Sequence, residues 1–327
     1  MTMLDIAAAA AAALPIFGTA RQSLARAYTP VDPAYVVDYL GPKGDPGDFG
    51  PDSITWRIFA NPLVFMIGAF PAVVLQMAEE GVGSGVETHS NYKTDTLGRL
   101  QRTLSAAMAT TYASKSAKAA LMKEVAQRHA KVRGPLADGG RYTAFDPDRM
   151  AFVHLTAGYG FAQAYQRYVN PGMTEAEKVK LASESANSTR DYGRYEVPTT
   201  QAEIDAYIRS WEPRLERRPA VDNFIEVARR DSSMGKTHPA IQEMLVGAGI
   251  DLLPDWAKDK LGFHRTPAQV ARTTAMMRFL AKLLPRLVKD TPPILACRRM
   301  GLPDDYLFKP APKPALTRSA EKVLIGG

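Results

Sequence analysis

The side chains with which this chain could do chemistry are few: five histidines (His89, His129, His154, His238 and His264), one cysteine (Cys297) and a scatter of arginines among apolar helical stretches. Arg99, Arg102 and Thr103 stand three and four residues apart, so a helix would place them on one face. His129 and Arg133 are one turn apart near the end of a helical stretch, and His154 sits among Ala, Phe, Val and Leu between Met150 and Phe161. Each alone has a plain explanation. A single histidine on an apolar helix is ordinarily a core residue bonded to a carbonyl, and surface arginines are ordinarily solvated. Together they describe a pocket that uses an imidazole and fixed positive charge.

The familiar alternatives fail on spacing. The chain has no HExxH, no histidine pair at i and i+4, no EF-hand loop and no phosphate-binding GxxxxGK[ST]. Gly81–Gly85 (GVGSG) follows a helical pattern and not a strand, so it is no dinucleotide loop, and G-Y-G at 158–160 is equally weak. No GxSxG elbow supports a serine hydrolase. A single cysteine excludes an internal disulfide and a thiolate zinc site, and it fits a reducing compartment.

The elements that must position these residues read as helices. Asp95-Thr96 opens a periodic stretch to about Tyr112, and Ser114 or Ser116 caps another to Val132, stopped by Gly134-Pro135. Asp146-Pro147 and Thr266-Pro267 place proline just after an N-cap. Thr174 with Glu177 and Thr200 with Glu203 have capping-box spacing. Pro62–Met77 reads as a buried helix kinked near Pro71. No alternating β-branched run is long enough for a sheet, and no repeat is visible. The expectation is one all-α multi-helix domain over 50–305, globin-like in helical content with a topology of its own. An N-terminal helix and a Gly/Pro/Asp-rich lead-in loop (1–49) precede it, and a Pro/basic tail (306–327) is expected to be extended.

Composition adds bounds. The 327 residues are 46% hydrophobic and 23% charged, which suits a globular core and excludes a disordered or fibrous chain. Net charge is +7, with 5 Lys/Arg against 10 Asp/Glu in residues 1–98 and 36 against 24 afterwards. That surplus could attract an anion or an anionic surface, but no basic cluster interleaved with aromatics points to nucleic acid. The apolar run 62–77 is shorter than the roughly 20 residues of a membrane span. The Ala7–Ala13 run lacks a basic flank for export. A cytoplasmic protein is expected, with no integral span and with peripheral membrane contact compatible.

Several spaced motifs go further. GPDSITWRIFANP (50–62), VLQMAEEGVGSGVETHSNYKTDTLGRLQRT (74–103), QRHAKVRG (127–134) and RYTAFDPDRMAFVHLT (141–156) follow one another in order. AYQRYVNPGMTEAEK (164–178), VPTTQAEIDAYI (197–208) and LLPDWAKDKLGF (252–263) continue the series. Over about 50–305 the chain resembles the latex-clearing-protein and MpaB-type oxygenase family. The resemblance implies an all-helical fold that holds haem b and oxidises an apolar or isoprenoid-like small molecule with dioxygen. By the same resemblance, His129 of HAKVRG is the iron ligand, and Arg99, Arg102 and Thr103 of GRLQRT form the catalytic polar group. His154, His89 and Arg133 join His129 on the cofactor-binding side. Two departures stand out. Many relatives have Ala-His-Pro where this chain has Ala78-Glu79-Glu80, and rubber-cleaving members have lysine at the Arg102 position. Glu79, Glu80 and Glu87 are all candidates for the family's distal acid/base.

The physical chemistry agrees with that implication. Neutral imidazole is a good iron ligand, and its second nitrogen needs an orienting partner. Arginine is suited to anionic propionates, and fixed donors stabilise developing negative charge on oxygen. The alternative class is a non-catalytic helical protein that binds haem or a lipid-like ligand.

Overall fold

The computed structural model describes residue 22 and residues 24–190, 197–230 and 239–309. The Ala7–Ala13 run, His238 and residues 310–327 lie outside them. The described residues are predominantly helical, as the sequence predicts. In chain order the helices are α1 (Ile54–Ala60), α2 (Pro62–Ala78), α3 (Glu80–His89), α4 (Thr96–Tyr112), α5 (Lys115–His129), α6 (Pro147–Ala164) and α7 (Glu175–Arg190). They continue as α8 (Gln201–Ser210), α9 (Pro219–Arg230), α10 (Pro239–Ile250), α11 (Asp255–Leu261), α12 (Pro267–Leu283) and α13 (Pro292–Arg299).

The caps read from the sequence form as expected. Asp95, Ser114, Asp146, Thr200 and Thr266 each accept a hydrogen bond from a first-turn amide. Thr174 and Glu177 exchange bonds as a capping box, which satisfies amides with no helical partner.

Three expectations change. A short antiparallel ribbon, β1 (Arg133–Pro135) with β2 (Arg141–Thr143), ends α5 at His129, three residues before Val132. Its strands are three residues long, too short for an alternating pattern, and Tyr142 fills the space a side chain at Gly134 would need. The sharp bend is not at Pro71. α2 runs unbroken through that residue, and the 99° turn falls between α1 and α2 at Asn61. There Asn61 is extended, as a residue before proline must be, its side chain caps Leu63 N, and its amide donates to Ala281 O at 2.9 Å. The chain after Pro303 is not simply extended either: Tyr306–Phe308 forms a 3-10 turn with Leu307 buried, and Tyr306 Oη donates to Asp52 at 2.8 Å.

α2 is the axis of the fold because it is apolar on nearly every side. Leu63, Val64, Phe65 and Ile67 pack with Tyr112 and Trp56 in one core, while Phe70, Val74, Leu75 and Met77 pack with Phe152 and Trp211 in a second. Trp56 and Tyr112 lock α1 to the end of α4: the indole donates to Thr111 O at 2.8 Å and the phenol to Trp56 O at 2.5 Å. α2 and α6 cross backbone to backbone. A Cβ on Gly160 would overlap the Gly68 carbonyl oxygen, and one on Gly68 would lie 2.7 Å from the Phe161 ring.

Buried arginines tie the periphery to this axis. Arg299 is fully enclosed and donates to Asp45 O (2.8 Å), Tyr39 O (3.1 Å) and Tyr112 O (2.7 Å), which fastens the lead-in loop. Within that loop Gly47, at φ 68°, passes so close to the Ala113 carbonyl that no side chain fits. Cys297 beside Arg299 is buried, and burial pushes its thiol pKa up to about 11.

The G-Y-G segment makes the crossing testable. Gly158 is open, with its nearest contact 3.8 Å from a built Cβ, so Gly158→Ala stabilises by about 1 kcal/mol through helix propensity. Gly160→Ala destabilises by about 3 kcal/mol, because rigid backbone cannot move aside as a side chain would. Urea unfolding of the two variants measures both signs.

Candidate functional site

Of the residues singled out by spacing, Arg99, Arg102, Thr103 and His129 fall on two helices joined by a short turn, whereas Arg133 is not on the His129 helix but opens β1, because α5 stops at His129. α4 ends at Tyr112 and α5 begins at Lys115, so Arg99 lies 14 residues before Ala113 and His129 lies 16 after it. Arms of nearly equal length bring the start of α4 level with the end of α5, at roughly 1.5 Å per residue. The directions of two pKa shifts agree with this proximity. Burial lowers the His129 pKa below its ordinary value, and the positive charge of Arg99 lowers it further. Burial lowers the Arg99 pKa too, followed by the charge of Arg102, while Tyr35 acts the other way.

By accessible surface His129 is nonetheless an exposed residue and Arg99 half-buried. α5 contributes little else to the interior, since Leu121 is its one fully buried side chain. Among the described residues no hydrogen bond engages the His129 ring, which leaves a neutral imidazole able to ligate a metal.

Arg99 is fixed by its own helix. Its guanidinium donates to Thr103 Oγ1 at 2.7 Å, and that hydroxyl donates to Arg99 O at 3.0 Å. Arg102 turns towards the helix start instead: Nη2 donates to Asn91 Oδ1 at 2.7 Å, and Nη1 lies 3.5 Å from Asp95 Oδ2. A cleft of about 270 Å³ between Val31, Asp32, Asp95 and Arg102 adjoins this wall. The larger cleft, about 500 Å³ near Arg217 and Arg229, contains none of the sequence-predicted residues, and those arginines are paired with Asp222 and Glu243.

His89 and Arg133 also come together, though through the backbone: His89 Nε2 lies 3.3 Å from Arg133 O, and its ring meets Tyr142 edge-on at 6.4 Å. The Arg133 side chain is exposed. His154 goes elsewhere. It faces α7, with Nε2 2.8 Å from Ser188 Oγ, and no described contact joins it to Arg99 or His129.

The three candidate carboxylates differ in kind. Glu79 is buried, caps Val82 N at 2.8 Å, and pairs with Arg149 (3.0 Å) and Arg214 (3.3 Å). Gly81 supplies the room, since the Arg149 guanidinium occupies the place of its missing Cβ. Glu79 thus anchors α3 to α6. Glu80 accepts from Ala137 N at 2.7 Å. Burial acts to raise the Glu87 pKa, but bonds from Lys93 and Tyr92, the Lys93 charge and a bond from Asn223 bring it below the ordinary value, so Glu87 stays ionised.

Sequence reasoning missed Tyr35, Asn91 and Asp95 as site neighbours. Tyr35 is buried against α4 and α5 and lies under the Arg128 guanidinium at 5.1 Å. Its signal was an aromatic residue inside the Gly/Pro/Asp-rich lead-in loop. Among the described residues no group of three or more His, Cys, Asp or Glu could hold a bare metal ion.

With this geometry in view, the chain can be placed. A family model described as ER-bound oxygenase mpaB/B'/Rubber oxygenase, catalytic domain, matches residues 56–282, more than half of the chain. The protein belongs to this oxygenase family, as its ordered motifs implied. Neither a curated protein nor a solved structure matches the chain. No single described helix is long and apolar enough to cross a membrane; the bent pair α1–α2 passes by length and composition together, but α2 is largely core.

The charge contact gives a direct test. An imidazolium opposed by a nearby guanidinium gives up its proton more readily, so Arg99→Gln moves the His129 titration up towards 6.5. Histidine-ring NMR on the protein without added ligand reads this shift, and an unmoved His129 titration would separate the two residues.

Proposed function

We propose that this protein is a haem b-dependent oxygenase that acts on an apolar or isoprenoid-like small molecule with dioxygen, and that His129 is its iron ligand. The observation that carries the reading is the approach of Arg99 to His129, whose pKa its charge lowers, in a chain of an oxygenase family. The donor set fits the group. A porphyrin brings four nitrogen donors, so one neutral imidazole completes the protein's share, and no cluster of His, Cys, Asp and Glu is needed. Haem also carries carboxylates, and this wall is cationic.

Bound haem would supply the oxidative chemistry itself. The chain's own residues would bind, orient and polarise. A lowered pKa keeps His129 neutral at pH 7, the form that can donate a lone pair. Thr103 holds the Arg99 guanidinium in place, so its positive charge is preorganised at no cost of reorganisation. Arg133, exposed at the start of β1 four residues after His129, is available to pair with a carboxylate. Arg102 stays protonated and has no lone pair, so it donates hydrogen bonds and never ligates. Its bonds to Asn91 and Asp95 give it a fixed direction. An apolar substrate suits a family whose named members include a rubber oxygenase.

Titration with haemin tests the reading. Wild-type protein develops a Soret band and gains thermal stability, because a ligand that binds only the folded state stabilises it. His129→Ala loses both while its helical circular dichroism is unchanged. Full occupancy with an unchanged spectrum in that variant would move the assignment to His154. Dioxygen consumption by the loaded protein separates an oxygenase from a haem carrier.

Arg102 gives a second expectation. Because Asn91 and Asp95 already hold it, Arg102→Ala keeps haem uptake, and the resting ferric spectrum stays high-spin and responds to cyanide. Loss of haem in that variant would instead place Arg102 against a haem carboxylate.

A further inference from the structure

The outward face of α12 is unlike the rest of the described surface. Between Lys260 and Lys289 the chain has seven Lys/Arg and no Asp or Glu. Thr273, Met277 and Ala281 turn inward, with α12 packed on α2 and α10. Ala268, Arg272, Ala275, Phe279 and Lys282 follow the three- and four-residue spacing of one stripe, and all are exposed. Phe279 is 57% exposed and Met276, one turn before it, 41%. Elsewhere among the described residues no other helix exposes two large apolar side chains one turn apart. Val31, Val36 and Leu40 are exposed in the lead-in loop, but Asp32 and Asp38 stand among them.

We infer that this face of α12 docks on an anionic lipid bilayer. Two observations select that partner. Arg272, Lys282 and Lys289 have no acidic partner among the described residues, so their charge is available to an outside anion. A phenylalanine and a methionine between them offer apolar surface to the acyl boundary while the cations meet headgroups, which is the arrangement of interfacial helices. Nucleic acid would answer the charge but not Phe279, and an acidic protein groove would require a narrower apolar seam than this stripe of alanines and cations. The contact is peripheral, because α12 keeps its opposite face in the core. The inference does not depend on haem, and it would bring a protein for apolar substrates to the phase in which they dissolve.

Flotation of the full chain with vesicles tests it, using phosphatidylcholine alone and a 3:1 mixture of phosphatidylcholine with phosphatidylglycerol, at about 0.05 and 0.5 M salt. The protein floats with the mixed vesicles at low salt, less at high salt, and hardly with phosphatidylcholine alone. The double variant Arg272→Gln, Lys282→Gln lowers partitioning by roughly 25-fold, taking about fivefold for each basic residue at an anionic surface. Phe279→Ser lowers it further without altering the salt dependence. All three substitutions are at exposed positions, and circular dichroism checks that the helices persist. Failure to float with the anionic vesicles, or unchanged flotation of the double variant, overturns the assignment. Haem uptake is measured on the same samples, so failure here leaves the reading of His129 standing or falling by its own test.

Discussion

The contact between Gly68 and Gly160 is the constraint on which the arrangement rests. Two helices can approach this closely only where neither carries a Cβ, and here the carbonyl of one fills the space a methyl group would take. That contact fixes α6 against the apolar axis α2. From the start of α6, Arg149 reaches Glu79 at the start of α3, and α3 leads through Asn91 and Asp95 into the helix that carries Arg99 and Thr103. A packing decision in the core therefore sets the position of a polar site several elements away.

Glycine is used twice more to the same end. Gly81 makes room for Arg149 beside Glu79, and Gly247 makes room for Arg265, which pairs with buried Asp251 at 2.8 Å and donates to Thr273 at 2.7 Å. A buried ion pair offsets its desolvation only with good geometry, and removal of one partner leaves an uncompensated charge. Such pairs fix the relation between elements more than they deepen stability. The surroundings of Arg99 are the opposite case. Their cations lack carboxylate partners of comparable closeness, so each depresses the proton affinity of the next.

Local chemistry was legible in the sequence and distant pairing was not. The caps at Asp95, Asp146, Thr200 and Thr266 are written within four residues, so their spacing alone identifies them. The Arg99–Thr103 bond is one helical turn and equally local. The approach of His129 to Arg99 needed the hairpin's arm lengths, which depend on where α5 stops. That end is set by a ribbon too short to leave a periodic pattern. The pairing of Glu79 with Arg149 spans 70 residues, which spacing does not show either. The contact of His154 with Ser188 joins two helices, so local spacing does not show it. The ordered family motifs carried what periodicity could not.

Cys297 has a consequence for a protein that belongs to an oxygenase family. Its sulfur is fully enclosed, and with a pKa near 11 it is protonated at neutral pH, whereas oxidants and disulfides react with the thiolate. The chain therefore has no accessible sulfhydryl chemistry while folded: it neither cross-links through sulfur nor forms sulfenic acid readily. Thioethers remain open to oxidation, and among the described methionines Met276 is the exposed one. Sulfoxide formation there is repairable by reductases, so an oxidised Met276 can be restored without resynthesis of the chain.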